Sequence, residues 1–155
     1  MIDRATYVRF CDEALEHMRD MVLDLGDDLA NRRPDLPGAN SPFAILTHCL
    51  GVVGFWASTV NLGEVIARDR ESEFTASGRV EVLAADTDRM RASLATWVAA
   101  GDPSAPPMNP PSPSDDVFVA TQGGVLFHVY EELAQHRGQL EITRDVLRAT
   151  TAPYS

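Results

Sequence analysis

The chain has 155 residues, a formal net charge of −10 from 23 acidic and 13 basic side chains, and 45% hydrophobic residues. That length fits one domain, 1–155, able to bury a core without disulfides or a metal staple, and the composition is globular rather than disordered. All 13 bases are arginine and none of them cluster, so no nucleic acid is expected as a partner, because neutralising phosphates takes a concentrated basic patch.

The opening M-I-D-R-A-T-Y has neither a charged n-region nor an apolar h-region, and the apolar runs read as too short and interrupted to span a bilayer. No membrane partner and a cytoplasmic location are therefore expected. Cys11 and Cys49 form no CxxC spacing and fall within apolar helical patterns, where a free thiol is a small core residue. The absence of lysine beside abundant Ala, Val, Asp and Gly suggests a high-G+C coding bias.

In chain order, Asp3 is a natural N-cap for a first helix with Tyr7, Cys11, Ala14, Leu15, Met18, Met21, Val22 and Leu25 as its core stripe, and Gly26 offers the stop. His17 falls on the polar side of that helix, a solvated position. Asp27 to Ser41 is rich in turn formers. Ser41 followed by Pro42 starts a second helix running to about Leu62, because proline at the first turn lacks only an N–H that would have no partner. That helix is apolar almost all round and should be the most buried.

Residues 63–77 are charged and lack a sustained period. Extended, such a segment reaches about 50 Å, longer than a ~20-residue helix of roughly 30 Å, so the second and third helices need not be antiparallel neighbours. The third helix carries the stripe Val80, Leu83, Thr87, Met90, Leu94, Trp97 and ends at Gly101. Residues 102–116 hold six of the ten prolines and fit neither helix nor central strand, leaving a stiff surface strap or a lid over a pocket. The last helix begins near Thr121, with fraying expected past Thr150. Four amphipathic helices without strand alternation or internal repeat predict an all-α four-helix bundle, with a long crossover between the second and third helices.

On the last helix His128, Glu132 and His136 lie at i, i+4 and i+8, nearly on one face. An ionisable group directed at a core must be paired or metal-bound. Glu132 and His136 can grip one cation from one side, whereas His128 lies ~12 Å along the helix axis from His136, too far for both to converge on one ion. His128 is read as a partner that holds Glu132, or as a cavity lining. Glu131 and Gln135 belong to a neighbouring, solvated face.

His48 is the one imidazole or charged side chain between Pro42 and Leu62. A lone histidine on an apolar face is commonly a satisfied core residue, but the incomplete set on the last helix wants one more nitrogen. His48, Glu132 and His136 with an open position form the candidate site. Two imidazoles and a carboxylate suit catalytic zinc, and equally nickel or iron(II). The competing reading is a buried Glu–His–His hydrogen-bond network without metal.

P-G-A-N-S-P at 37–42, then T-H-C-L at 47–50 with Trp56 eight residues after His48, and the late H-V-Y-E-E-L-A-Q-H at 128–136 together resemble the DinB-like superfamily over nearly the whole chain. With Glu132 at the first position of the late pair, the His, Glu, His set is similar to the mycothiol-dependent maleylpyruvate isomerase and thiol S-transferase branch. The resemblance implies His48, Glu132 and His136 as zinc ligands and mycothiol as a thiol cosubstrate attacking a small electrophile. The further C-terminal domain of that isomerase has no counterpart here, so the isomerisation itself is not implied. Arg68, Arg70 and Arg137 are available for the cosubstrate's carboxylate or polar groups, but read first as surface charges. Relatives often pair, so a homodimer is an expectation. A non-catalytic metal-binding or stress-response protein and a metal-dependent hydrolase are the alternative classes. A catalytic ion keeps an open position facing a concave pocket, whereas a structural one is closed by four protein ligands.

Overall fold

The computed structural model describes residues 2–112 and 116–151; residues 113–115, near the end of the Pro-rich stretch, and 152–155 of the tail expected to fray past Thr150 lie outside the described residues. The elements are α1 (Arg4–Ala30), α2 (Pro42–Val53) prolonged by a π-helical segment (Gly54–Val60), a one-turn α3 (Arg70–Glu73), α4 (Val80–Ala100), a 3₁₀ turn (Val117–Ala120) and α5 (Gln122–Thr151). Among the described residues there is no strand, and α1, α2, α4 and α5 are the four predicted helices.

Their ends form where local chemistry places them. The Asp3 carboxylate accepts from Thr6 N at 2.7 Å, and the Ser41 hydroxyl accepts from Ala44 N at 3.2 Å with Pro42 in the first turn. Gly26 does break the first helix, at φ 66°, but one further helical turn follows before Asn31. That turn has a purpose in the packing. The Asp27 carboxylate accepts from Val80 N at 2.8 Å, and the Asn31 amide exchanges two hydrogen bonds with the Gly78 backbone. The N-terminus of α4, which has no side-chain cap of its own, is thus capped from α1.

Contacts between helix ends fix the topology. Arg4 reaches Gly101 O and Arg19 reaches Asp88, so α1 and α4 are antiparallel. The Tyr7 hydroxyl donates to Leu126 O and Arg148 pairs with Asp24, so α1 and α5 run parallel. Phe43 lies by Gly78, Gly54 by Met90 and Leu62 by Gly101, which makes α2 and α4 parallel, as the long crossover permits. No contact joins α4 and α5 among the described residues, so they occupy opposite corners of the bundle.

Leu15, Met18, Leu46, Leu94, Leu133, Leu140 and Leu147 fill the centre, each contributing about 1.5–3 kcal/mol by leaving water. Two expectations need correcting. The rod Pro42–Val60 is long and apolar enough to cross a bilayer, contrary to the sequence reading, but 78% of its apolar window is buried inside the bundle. The second correction is the π-helical segment, which no periodicity announced. Here Phe55 and Trp56 are only partly buried, while Ala57 and Val60 face the core.

Over its described residues the Pro-rich stretch is a strap. Met108 N and Asn109 N donate to Asn61 O and Val60 O, carbonyls that the end of a helix leaves without intrahelical partners. Gln122 grips the strap from α5, accepting from Asp102 N at 3.0 Å and donating to Pro106 O at 3.3 Å.

Candidate metal centre

Helices α2 and α5 lie side by side and antiparallel, and this brings His48 to Glu132 and His136. The ligand atoms of the three side chains all lie within 4.8 Å of one another. The Glu132 Oε2 atom is the common neighbour, 3.2 Å from His136 Nε2 and 3.8 Å from His48 Nε2. The two imidazoles meet edge to face, with centroids 4.8 Å apart. Both therefore turn the same ring nitrogen toward the shared carboxylate.

The other ring nitrogens are held from behind. His136 Nδ1 lies 2.8 Å from Gln139 Oε1, one turn further along α5. His48 Nδ1 lies 2.8 Å from Glu73 Oε2. Glu73 is 6% exposed and His48 is 5% exposed. Arg68 clamps the Glu73 carboxylate with both edges, Nε to Oε1 at 2.7 Å and Nη2 to Oε2 at 3.0 Å. An acceptor on Nδ1 fixes the proton there and leaves the Nε2 lone pair free, the arrangement a metal-ligating histidine uses. Burial lowers the His48 pKa and so favours the neutral imidazole, against the opposing pull of the Glu73 hydrogen bond.

Glu73 is the residue that sequence reasoning missed. A local signal existed: Asp69 caps Ser72 N at 3.2 Å and starts the single turn of α3. One turn is too short to show a period, however, and nothing in the spacing ties it to α2. Its approach depends on Gly51, where an added Cβ would lie 2.0 Å from Glu73 Oε1.

A cavity of about 470 Å³ opens against the triad, lined by His48, Val52, Phe55, Trp56, Arg68, Arg70, His128 and Glu132. His128 does not hold Glu132 by a hydrogen bond, since Nε2 stands 3.8 Å from Glu132 Oε1. It lines the cavity instead, with its ring stacked on Phe118 at 4.1 Å, edge-on to Trp56 at 5.2 Å, and Nδ1 3.3 Å from Glu131 Oε2. Gly124 permits this stacking, because a Cβ there would meet Phe118 O at 2.3 Å.

The arginines divide. Arg137 pairs with Glu141 outside the cavity, as a surface charge. Arg70 is exposed but lies at the cavity wall over the Phe74 ring. Arg68 departs from the surface reading: its side chain is 14% exposed and committed to Glu73. Glu131, Gln135 and His17 are exposed, as expected.

The donor set fits a divalent transition ion. Two imidazole nitrogens and a carboxylate converge, both imidazoles have their remote nitrogens occupied, and the group faces open space rather than a fourth protein ligand. The protein's own thiols are unsuited to nucleophilic work. Cys11 and Cys49 are free and buried, and burial pushes both pKa values up, Cys11 to about 12.

Compared with known proteins, residues 6–149 match the family model described as mycothiol-S-transferase. No curated protein and no solved structure matches the chain.

Proposed function

Because the chain belongs to the mycothiol S-transferase family, a DinB-like family whose model spans residues 6–149, we propose that it conjugates a mycothiol-type thiol to a small electrophile at a metal held by His48, Glu132 and His136. The observation that carries this reading is the convergence of those three side chains beside an open cavity whose wall includes His48 and Glu132. Zinc fits this set, as do nickel and iron(II). When bound, the ion supplies the positive charge that favours ionisation of a thiol at neutral pH.

The chain's own residues supply the rest. Phe55 and Trp56 give the cavity an apolar wall for the body of the electrophile, and Arg70 offers a guanidinium to polar or anionic groups of the thiol. His128 presents Nε2 to the cavity while Nδ1 faces Glu131, so it is placed to accept the thiol proton and pass it to solvent. The sulfur then forms its bond to the electrophilic carbon, and the leaving group departs with the bonding pair.

The test uses the purified full chain, elemental analysis, and mycothiol with 1-chloro-2,4-dinitrobenzene. Thiol-dependent conjugation that stops on chelation and returns with zinc is expected. Undiminished conjugation by metal-free protein rejects the proposal, and metal-dependent turnover of an ester with the thiol omitted assigns the site to hydrolysis.

A further inference from the structure

We propose that Glu73, carried by the crossover between α2 and α4, is a positioning residue that sets the tautomer of His48 and thereby its strength as a metal ligand. This rests on the metal site proposed above and extends it to a residue outside the ligand set.

Four observations point the same way. Glu73 is nearly inaccessible to solvent, at 6% exposed, and a buried carboxylate is costly unless fully paired. Its pairing is complete: Arg68 takes both oxygens, and His48 Nδ1 takes Oε2 at 2.8 Å. Arg68 can only donate, so both Glu73 oxygens are held as acceptors, and an acceptor beside Nδ1 keeps the imidazole proton on that nitrogen. The freed Nε2 is the atom that faces Glu132. Finally, α2 has no side chain at Gly51, the position a Cβ would occupy 2.0 Å from Glu73 Oε1. The helix leaves room there for this carboxylate and for the Arg68 Nε that clamps it, which would lie 3.1 Å from the same Cβ.

Phe74 completes the mount. Its ring stacks on His48, with centroids 4.9 Å apart and planes at 27°. The residues flanking one peptide bond of the crossover thus fix both the hydrogen bond and the plane of a ligand on another helix. His136, by contrast, takes its Nδ1 partner from an exposed glutamine on its own helix. A neutral amide that can swing into water is a weaker constraint than a clamped buried carboxylate, so the crossover matters more for His48 than α5 does for His136.

The test compares full-length wild type with Glu73→Gln and with the double variant Glu73→Met/Arg68→Met. The double variant replaces the ion pair with apolar side chains of similar volume, so no uncompensated charge stays buried. Zinc affinity is read by competition with a chromophoric chelator, and the His48 tautomer by long-range ¹H–¹⁵N spectra of metal-free protein. Zinc binding about 10–100-fold weaker in the double variant, with helical content retained and the Nδ1–H preference of His48 lost, is the expected result. Glu73→Gln should fall between it and wild type. Wild-type zinc affinity and an unchanged tautomer in the double variant overturn the proposal, while loss of zinc in His48→Ala shows that the site itself stands. Zinc retained in His48→Ala as well overturns both readings together.

Discussion

Two helix seams of this bundle carry clusters of ionisable side chains, and they differ in what those clusters leave over. Between α1 and α4, Arg91 binds Asp12 with two nitrogens at 2.6 and 2.9 Å and also touches Glu16 and Asp88, and Arg19 shares Asp88. Cations and carboxylates there satisfy one another at the solvent edge, with 40–51% of the Asp12, Glu16 and Asp88 side chains exposed. Between α2 and α5 the partners do not close. His48, Glu132 and His136 turn lone pairs toward each other beside a cavity, while hydrogen-bond partners are spent on the far side of both rings. A cluster that completes itself holds helices together, whereas one with a surplus of convergent acceptors has lone-pair donor capacity left over, which is what the proposed metal would use.

Substitutions can break that contrast. The largest effect is expected at the α2–α5 seam: His48→Ala or His136→Ala should abolish stoichiometric metal and thiol conjugation in purified protein while circular dichroism shows helical content largely intact. Metal retained in both variants would mean that the seam is a hydrogen-bond network after all. Next comes His128→Ala, which should keep the metal yet slow conjugation by on the order of 10²-fold, the range of a lost general base. If metal is lost instead, His128 belongs to the mounting of Glu132.

The smallest effect is predicted across the other seam. Arg91→Met should lower the melting temperature by a few degrees, because partly exposed ion pairs contribute no more than about 1 kcal/mol each, and should leave metal content unchanged. This seam also has an acid limb. The Arg91 hydrogen bond holds the Asp12 carboxyl below its ordinary value of 3.8. The stabilisation is therefore fully present above that pH and is lost as pH falls through the depressed value. Melting curves taken down the acid range should show a shallower decline in Arg91→Met, and identical slopes would remove Arg91 as the cause.

Much of the candidate site was legible before any coordinates. Glu132 and His136 share a helix, so their four-residue spacing alone put them on one face. His48 was reachable because a single ionisable ring in an otherwise apolar helix demands a partner. The role of His128 was only half legible: its distance from His136 along the helix kept it out of the ligand set, but its stacking on Phe118 depends on how a loop returns. Arg68 was misplaced as a surface charge because nothing in a charged, aperiodic segment distinguishes a residue that turns inward from one that does not.

The sequence by itself determined the four helices, their caps at Asp3 and Ser41, the breaks at Gly26 and Gly101, and which helix would be buried. Helix ends and apolar stripes are written in residues three or four apart, where backbone geometry alone sets the distances. Only the tertiary structure decided that Glu73 stands behind His48, that α1 caps α4, and that the Pro-rich strap takes the Val60 and Asn61 carbonyls at the end of the π-helical segment. Each of those contacts joins segments whose separation along the chain leaves their relative placement to the packing of the whole bundle. The physical reason is that burial of a carboxylate such as Glu73 is tolerable only where Arg68 and His48 are already in place, a condition that no local window of residues contains.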